Sequence, residues 1–373
     1  MTTAETAGAV LTVDLDAVQA NWRLLANKMR KGSACAAVIK ADGYGLGGPK
    51  VGAALAAAGC DTLFVAHISE GIAVRAVVAD ASVHVLGAPI AGNESVLTEH
   101  RLTPVLNSLG DIEAWAKFCR RTGNAFPADV HIDTGMRRLG LPPDELRTLI
   151  AEPYRLAGFR VDCLMSHLAC SDEPAHPLNG EQLRLFKDAV AALRPAMPGA
   201  RVSFANSSGM FLGLDYHFDL GRPGVAIYGV NPTPGHPNPM RQTVHLQGKI
   251  LQVRDVDTPQ TVGYGATHRV TGRGRVATVA VGYADGYLRS LSNRGGCFIG
   301  DVAVPLVGRV SMDLITLDVS AAPAERARAG ALVDIIGPRN TPDDVAAAAG
   351  TIGYEILTSL GRRYHRVYTG GRA

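Results

Sequence analysis

The sequence predicts an α/β fold: a (β/α)8 TIM barrel followed by a mostly β C-terminal domain. Up to about residue 240, short β-type runs alternate with helical segments. The runs are apolar throughout, as expected of parallel strands that helices cover on both faces. From about residue 241, strands follow one another without helices between them. A chain of 373 residues has room for a barrel and a second domain.

The barrel elements can be assigned in order from the apolar periodicity. A short strand at 10–13 precedes a helix whose apolar residues recur every three or four positions from Val18 to Met29, with Asp14 or Asp16 as its N-cap. Seven strand-then-helix units follow, with strands near 35–39, 62–67, 83–86, 103–106, 128–132, 159–166 and 201–205. The clearest helix is 181–194, which has a continuous apolar stripe.

The eighth barrel strand is either 216–221 or 225–228, and both choices complete the barrel. The Pro-rich segment 231–239 is the natural linker. Beyond it, strands are predicted at 244–256, 275–283, 302–307 and 314–319. We therefore expect a barrel domain at 11–240 and a β-rich domain at 241–373.

Composition excludes several classes of protein. The 37 basic and 34 acidic side chains are scattered, which argues against a nucleic-acid partner. No apolar run reaches the ~18 residues of a membrane helix, and the first ten residues contain no Lys or Arg of a secretory signal. The six cysteines form no CxxC pair, so we expect reduced packing residues and no metal site. These features predict a cytoplasmic protein that binds no membrane.

Catalytic groups of a barrel lie at the carboxyl ends of its strands, and Lys40 ends the first strand. Partial burial there would lower the pKa of its amine and make it a nucleophile toward a carbonyl group. On Lys40 alone, a lysine that merely extends its charge to solvent is the favoured interpretation.

A dinucleotide-binding turn is a rival interpretation of the same segment. The sequence GYGLGG at 43–48 matches GxGxxG after a strand, and Glu70 lies at the spacing of a ribose-binding acid. The count of eight units and the charged residues Lys40 and Asp42 argue against this nicotinamide dehydrogenase hypothesis.

Other strand ends also carry polar residues. They are His67, Arg138, His167, Asn206 with Ser207, and Arg222 with Gly224. Ser207 and the backbone amides near Gly209 and Gly224 would form an uncharged phosphate cradle after strands seven and eight. Each histidine taken singly is more often a structural residue. The convergence of five polar strand ends favours a catalytic site.

Together, these segments closely resemble the alanine racemase family, enzymes that depend on pyridoxal phosphate (PLP) and combine a barrel with a β domain. The matching motifs occur in the family's order at 38–45, 133–140, 165–167, 206–207, 222–224, 228–229, 263–265, 282–286, 312–313 and 353–355. The resemblance favours 216–221 as the eighth strand and assigns the N-terminal strand, within 1–13, to the β domain.

The resemblance implies a homodimer in which two bases act on opposite faces of alanine. Lys40 would hold PLP and act on one face, while Tyr264 would reach the other face from the partner subunit. Two bases are needed because a proton returned to the face it left regenerates the starting enantiomer. Without the resemblance, Tyr264 would pass for a loop aromatic between Gly263 and Gly265.

The remaining roles are likewise implied by the resemblance. Arg222 would meet the pyridine nitrogen, and His167 would support it beside the ring. Further cofactor contacts, most of them to the phosphate, would come from Tyr44, Asn206, Ser207, Gly224, Val225 and Tyr354. The substrate would contact Arg138, Met312 and Asp313, with Tyr283 at the entrance.

Three positions depart from the family pattern. Many members carry a carbamylated lysine where this chain has His131, which cannot form a carbamate. Either His131 orients Arg138 indirectly, through an anion or water, or Arg138 is held less firmly. Leu46 and Arg137 also replace residues common in the family, and we expect them to tune rate or substrate range.

The resemblance implies interconversion of L- and D-alanine, which supplies D-alanine for peptidoglycan. A racemase of broader amino-acid specificity is the main alternative, and it would use the same bases. A non-catalytic PLP carrier barrel is a further alternative, but it would lack the second domain that contains Tyr264 and Met312.

Overall fold

A computed structural model describes residues 3–87 and 89–372. The helices are α1 (Leu15–Lys28), α2 (Lys40–Tyr44), α3 (Gly48–Ala57), α4 (Ile68–Arg75), α5 (Glu94–Glu99), α6 (Leu109–Thr122), α7 (Pro143–Ala151), α8 (Pro177–Leu193), α9 (Pro342–Ala349) and α10 (Gly353–Thr358). The strands before residue 240 are β1 (Ala9–Asp14), β2 (Ala34–Cys35), β3 (Ala37–Val38), β4 (Thr62–Val65), β5 (Ser82–Val85), β6 (Leu102–Leu106), β7 (Pro127–His131), β8 (Arg160–Met165), β9 (Arg201–Ser203) and β10 (Leu220–Gly221). The later strands are β11 (Val244–Val256), β12 (Thr261–Val262), β13 (His268–Arg269), β14 (Gly274–Val279), β15 (Gly296–Ile299), β16 (Val302–Pro305), β17 (Ile315–Asp318), β18 (Leu332–Ile336) and β19 (His365–Thr369).

The first half of the chain forms the predicted barrel. Strands β3 to β9 make a parallel sheet in sequence order, and β10 pairs in parallel with β2. Only Ala36 separates β2 from β3, and its N–H donates to the carbonyl of Gly221. The backbone N–H of Arg222 donates to Ala205, beyond β9. The ring is thereby closed, with β2 and β3 forming one interrupted strand and β10 as the eighth.

The eighth strand lies at the end of the predicted segment 216–221, whereas 225–228 is a 3₁₀ helix. The helix expected after β9 is replaced by two 3₁₀ turns, Gly209–Phe211 and Leu214–Tyr216. The reason is local: Gly213 adopts φ 121° between the two turns, a value that a continuing helix cannot contain.

The second half of the chain is mostly β, as predicted. Its main sheet has the order β16-β15-β18-β11-β1-β19, and β14 and β17 extend it from β11. Strand β1 pairs antiparallel with β11 and parallel with β19, so the N-terminal strand is part of this sheet. Residues 1, 2 and 373 of the predicted segments lie outside the described residues. The predicted domain boundary at 240 immediately precedes β11.

Several details of the predicted β domain were wrong, and strands β15, β18 and β19 were not predicted. The strand expected at 275–283 ends at Val279, because 283–285 form a 3₁₀ turn. Helices α9 and α10 also interrupt the strands. The signals for α9 are present in the sequence: Thr341 and Asp344 form a capping box, and Gly350 ends the helix with φ 73°.

The first barrel helix, α1, has an ordinary side-chain N-cap. The side chain of Asp14 accepts the N–H of Ala17 and so caps α1, which buries Trp22 and Leu25 against the barrel.

All six cysteines are free, and all but Cys170 are buried. No helix within 3–87 or 89–372 has the length and apolarity required to cross a membrane.

Candidate active site

The carboxyl ends of the barrel strands surround a cavity of about 240 Å³. Its lining residues are Lys40, Ala66, His67, Leu86, Gly87, His131, Met136, Arg138, Leu139, Met165, His167 and Arg222. Among the described residues, none of those lining the cavity is Asp or Glu. The cavity therefore presents three cationic side chains without a carboxylate, an environment that favours an anionic ligand.

Lys40 begins α2, whose other residues form a left-handed turn and not a right-handed helix. Ala41, Asp42, Gly43 and Tyr44 all have φ between 53° and 64°. Left-handed backbone costs roughly 1–2 kcal/mol for each non-glycine residue, so the surrounding structure must stabilise it. The side chain of Asp42 accepts the N–H of Gly48 at 2.7 Å, and Glu70 accepts the N–H of Asp42 at 3.2 Å.

The β domain also holds this loop in place. From β19, Arg366 donates to the carbonyl of Gly45 at 2.5 Å, and the hydroxyl of Tyr368 donates to the carbonyl of Leu46 at 3.0 Å. Lys40 is therefore followed by a loop that both halves of the chain position.

The dinucleotide-binding interpretation of GYGLGG fails on two counts. The described strands around this segment form a closed barrel and not a doubly wound sheet with a crevice for a dinucleotide. In addition, Glu70 accepts backbone N–H groups from Asp42, Ala66 and His67, which engage the carboxylate that would have bound a ribose.

Burial lowers the pKa of Lys40, and the nearby Arg138 lowers it further, while Glu70 opposes the shift. A lowered pKa increases the fraction of neutral amine near pH 7, which is the nucleophilic form. The structure thus places an amine of lowered pKa at the end of the first barrel strand.

Arg222 lies buried beneath the cavity. Its guanidinium donates to the hydroxyl of Ser203 and, at 2.6 Å, to the carbonyl of Ser166. Burial lowers the pKa of Arg222 to about 10, so the side chain is still cationic at neutral pH. Burial and the charge of Arg222 hold the pKa of His167 well below its usual range, which keeps this imidazole neutral.

Ser207 forms the centre of a polar cradle after strands β9 and β10. Its buried hydroxyl accepts the N–H groups of Gly224 at 2.9 Å and Ala226 at 3.3 Å, which leaves its own proton free to donate. Gly209 does not join this cradle, because its N–H donates to Asn206. The two amides are engaged by Ser207, so the free hydroxyl proton is the group in this cradle that suits a phosphate oxygen.

Tyr44 packs against the other side of this cradle. The buried ring stacks on Tyr228 at 4.6 Å and lies 6.2 Å from the ring of Tyr354. Burial raises the pKa of Tyr44 above its usual range and that of Tyr354 to about 12, so both hydroxyls keep their protons and can donate. A Cβ at Gly224 would contact the Tyr44 hydroxyl, so only glycine fits there.

A second cavity, of about 500 Å³, adjoins the first and shares Met136 and His167 with it. Asn206 and Tyr354 line this second cavity. Val225 is buried at the start of the 3₁₀ turn beside Gly224. Lys40, His167 and Arg222 thus line the first cavity, and His167, Asn206 and Tyr354 line the second.

The predicted residues of the β domain lie elsewhere. Tyr264, Tyr283, Met312 and Asp313 do not line the Lys40 cavity of the same chain. Tyr264 is 72% exposed and Met312 is 54% exposed. The N–H of Ala284 donates to the carbonyl of Met312 at 2.9 Å, which joins the segments that contain Tyr283 and Met312.

Arg363 anchors this exposed surface of the β domain. Its guanidinium pairs with Asp313 at 2.7 Å and with the buried Asp285 at 2.6 Å. These carboxylates raise the pKa of Arg363 above its usual range. Asp313 is therefore held in place by an ion pair.

Sequence reasoning overlooked two residues that hold site side chains. Ser203 accepts from Arg222, and Asn107 contacts His131 at 2.8 Å. Asn107 directly follows β6, so the strand-end rule applied to the fourth barrel strand would have found it. Ser203 is the last residue of β9 but lies inside the predicted strand 201–205, so it gave no such signal.

A cluster of possible metal ligands lies in another part of the barrel, formed by His84, Asp129 and Asp162. His84 contacts Asp129 at 2.6 Å. Asp162 pairs with Arg201 at 3.2 Å and with Arg160 at 3.4 Å, so a cation there would compete with two arginines.

The fold and cavity define a (β/α)8-barrel enzyme with a basic site that contains a lysine. Comparison with known proteins identifies its family. The family models "Alanine racemase, N-terminal domain" and "Alanine racemase, C-terminal domain" match residues 13–232 and 243–368. The alanine racemase of Rhodospirillum rubrum is 54% identical, and the match covers 98% of this chain and 97% of that protein. A protein of Agrobacterium fabrum named "Alanine racemase, catabolic" is 48% identical, over 96% of this chain and 91% of its own.

Solved structures support the same family assignment. An alanine racemase from Bartonella henselae "with covalently bound pyridoxal phosphate" has a TM-score of 0.92 at 39% identity, covering 97% of this chain and 100% of that one. An alanine racemase from Streptomyces lavendulae also has a TM-score of 0.92, at 30% identity, covering 98% of this chain and 97% of that one. The chain belongs to the alanine racemase family and is an isomerase.

Proposed function

We propose that this protein uses PLP to interconvert L- and D-alanine by a two-base mechanism, as a cytoplasmic homodimer that supplies D-alanine for peptidoglycan. The observation that carries the proposal is Lys40, a lysine of lowered pKa in a cavity that two arginines line together with no Asp or Glu of the described residues. The barrel at 11–240 would hold the cofactor, and the β domain at 241–373 would complete the site of the partner subunit.

The residues present fit PLP. The Lys40 amine suits its aldehyde, and the free proton of the Ser207 hydroxyl suits a phosphate oxygen. The glycine at 224 keeps open the space beside Tyr44 that a Cβ would fill. When bound, PLP supplies an electron sink that makes the substrate Cα–H more acidic.

The protein groups have separate tasks in this proposal. Lys40 moves a proton on one face of the substrate Cα, and Arg138 binds the substrate carboxylate. Arg222 keeps its proton at neutral pH and so would donate, not accept, a hydrogen bond at the pyridine nitrogen. The neutral His167 supports the ring without adding a further charge.

The second base would come from the β domain. Within the chain, Tyr264 is exposed and lies outside the Lys40 cavity, which supports a site completed by the partner subunit's Tyr264. Exposed Met312 and Tyr283 would join it there, because large apolar side chains left exposed together indicate an interface. Met312 and Asp313 would contact the substrate carboxylate, and Tyr283 would limit side-chain size.

The experiment that tests the proposal combines chemical trapping with an activity assay. Borohydride treatment of the purified holoenzyme should fix the cofactor on the peptide that contains Lys40, as read by mass spectrometry. The untreated enzyme should racemise L-alanine. Cofactor that is retained but not trapped at Lys40, or a protein without racemase activity, would overturn the proposal. Faster turnover of L-serine or L-lysine than of L-alanine would instead favour the broader racemase.

A catabolic role is a second candidate, because the relative from Agrobacterium fabrum is named catabolic. Deleting the gene separates the two roles. Dependence of growth on added D-alanine supports the biosynthetic role, whereas failure to grow on alanine as carbon source supports the catabolic one.

A further inference from the structure

Arg138 lies in the cavity without an acidic partner. In the part of the chain that the structure describes, no Asp or Glu pairs with its guanidinium, and none lines the cavity. A long, exposed arginine side chain with no fixed partner samples many rotamers, and ordering it costs roughly 1.5–2 kcal/mol. An arginine that binds a substrate carboxylate is more effective when a neighbouring group orients it beforehand.

His131 lines the same cavity, and its protonation pattern follows from Asn107. The Asn107 amide donates to the carbonyls of Leu86 at 3.2 Å and Val105 at 3.0 Å. Its NH₂ group is thereby engaged, and a flipped amide would set its oxygen against both carbonyls. The amide oxygen must face His131, whose Nδ1 lies 2.8 Å away. Nδ1 is therefore the donor and carries a proton.

The second ring nitrogen has no proton at neutral pH. Burial and the charge of Arg222 lower the pKa of His131 to about 3, while Arg138 adds to the shift and Asp133 opposes it. A neutral imidazole holds one proton, and Asn107 places it on Nδ1. Nε2 consequently presents a lone pair.

The loop that carries Arg138 returns to this side of the imidazole ring. The N–H of Leu141 donates to the carbonyl of His131 at 2.8 Å, which closes the loop. A Cβ built on Gly140 would lie 3.2 Å from His131 Cδ2, the ring carbon bonded to Nε2. The acceptor nitrogen therefore lies on the ring edge that faces the Arg138 loop.

We propose that Asn107 and His131 are positioning residues, and that His131 Nε2 accepts a hydrogen bond from Arg138 to orient it toward the substrate carboxylate. This inference rests on the proposed function. A neutral acceptor orients the guanidinium without cancelling its charge, so the full positive charge is available to the substrate. An acidic partner would instead neutralise part of the positive charge of Arg138.

The test compares two substitutions of one residue in the holoenzyme. His131→Gln keeps a neutral side chain that can donate to Asn107 and accept from Arg138, whereas His131→Leu removes the acceptor. We expect His131→Leu to raise KM for alanine at least about tenfold, the loss of one hydrogen bond to a charged group, with a smaller change in kcat. His131→Gln should recover most of this loss. His100→Leu, a histidine substitution outside the cavity, should leave KM unchanged.

A second pair of variants tests the proposed chain of contacts. Asn107→Ala lets His131 protonate Nε2 and present a donor to Arg138, so KM should also rise, and this variant carries the test if His131→Leu does not fold. In an Arg138→Ala background, His131→Leu and His131→Gln should have equal KM. The inference alone would be overturned if the unmodified enzyme racemises alanine and the two His131 variants, with Arg138 intact, have equal KM. Absence of racemisation by the unmodified enzyme would overturn the proposed function instead.

Discussion

Tyr264→Phe tests the proposed second base, because it removes a single hydroxyl from an exposed side chain. Tyr264 is 72% exposed in the 3₁₀ turn at 264–266, so the free energy of unfolding should change by less than ~0.5 kcal/mol. A positioned acid–base group contributes roughly 10²–10⁴-fold to rate. We therefore expect racemisation to slow by that factor, about 3 to 5 kcal/mol of transition-state stabilisation.

The assay must separate the two faces of the substrate. The enantiomers of alanine have equal free energies, so kcat/KM for racemisation must fall equally in both directions whatever Tyr264 does. The informative measurement is exchange of the Cα proton with D₂O, followed by NMR from each enantiomer separately. Exchange should persist for the enantiomer that Lys40 deprotonates and fall for the other. Equal losses of exchange from both enantiomers would refute the assignment of Tyr264 as a base.

The remaining predictions concern the cofactor cradle and Lys40. Gly224→Ala should lower the free energy of unfolding in urea by ~1–3 kcal/mol, because its Cβ would contact the buried Tyr44, and should weaken PLP retention. The control variant, Gly180→Ala, adds a Cβ in open space on helix α8 and should stabilise the protein by ~0.5–1 kcal/mol. Equal changes in the free energy of unfolding for the two variants would contradict the steric argument. Arg138→Gln removes a positive charge that lowers the pKa of Lys40, so that pKa should rise and the pH midpoint of PLP capture by apoenzyme should move upward. A midpoint that stays or moves downward would contradict this.

Much of the barrel could be predicted because its signals are local. Each barrel strand is a short apolar run and each helix a periodic stripe. In the β domain, β11 (Val244–Val256) was also predicted with its exact bounds. Helix α9 was missed although Thr341 and Gly350 mark its ends. The 3₁₀ turns after β9 were missed because a conformation such as that of Gly213 is not visible as periodicity.

The candidate site was only partly predictable for a related reason. Lys40 and Arg222 follow strands, and the strand-end rule locates such residues without any knowledge of their contacts. Asn107 and Ser203 act through partners that are distant in sequence, and neither belongs to a motif. The exposure of Tyr264 likewise depends on how the β domain folds, which its flanking glycines do not reveal.

By itself, the sequence determined the order of elements, the lysine at the first strand end and the resemblance to a racemase family, since these depend on neighbouring residues. Only the tertiary structure decided the closure of the barrel, the left-handed turn after Lys40 and the tautomer of His131. Each of these depends on hydrogen bonds between remote segments, such as Arg366 to Gly45 across 321 positions. Periodicity and spacing report what a residue is next to in the chain, whereas protonation and orientation depend on what it touches in space.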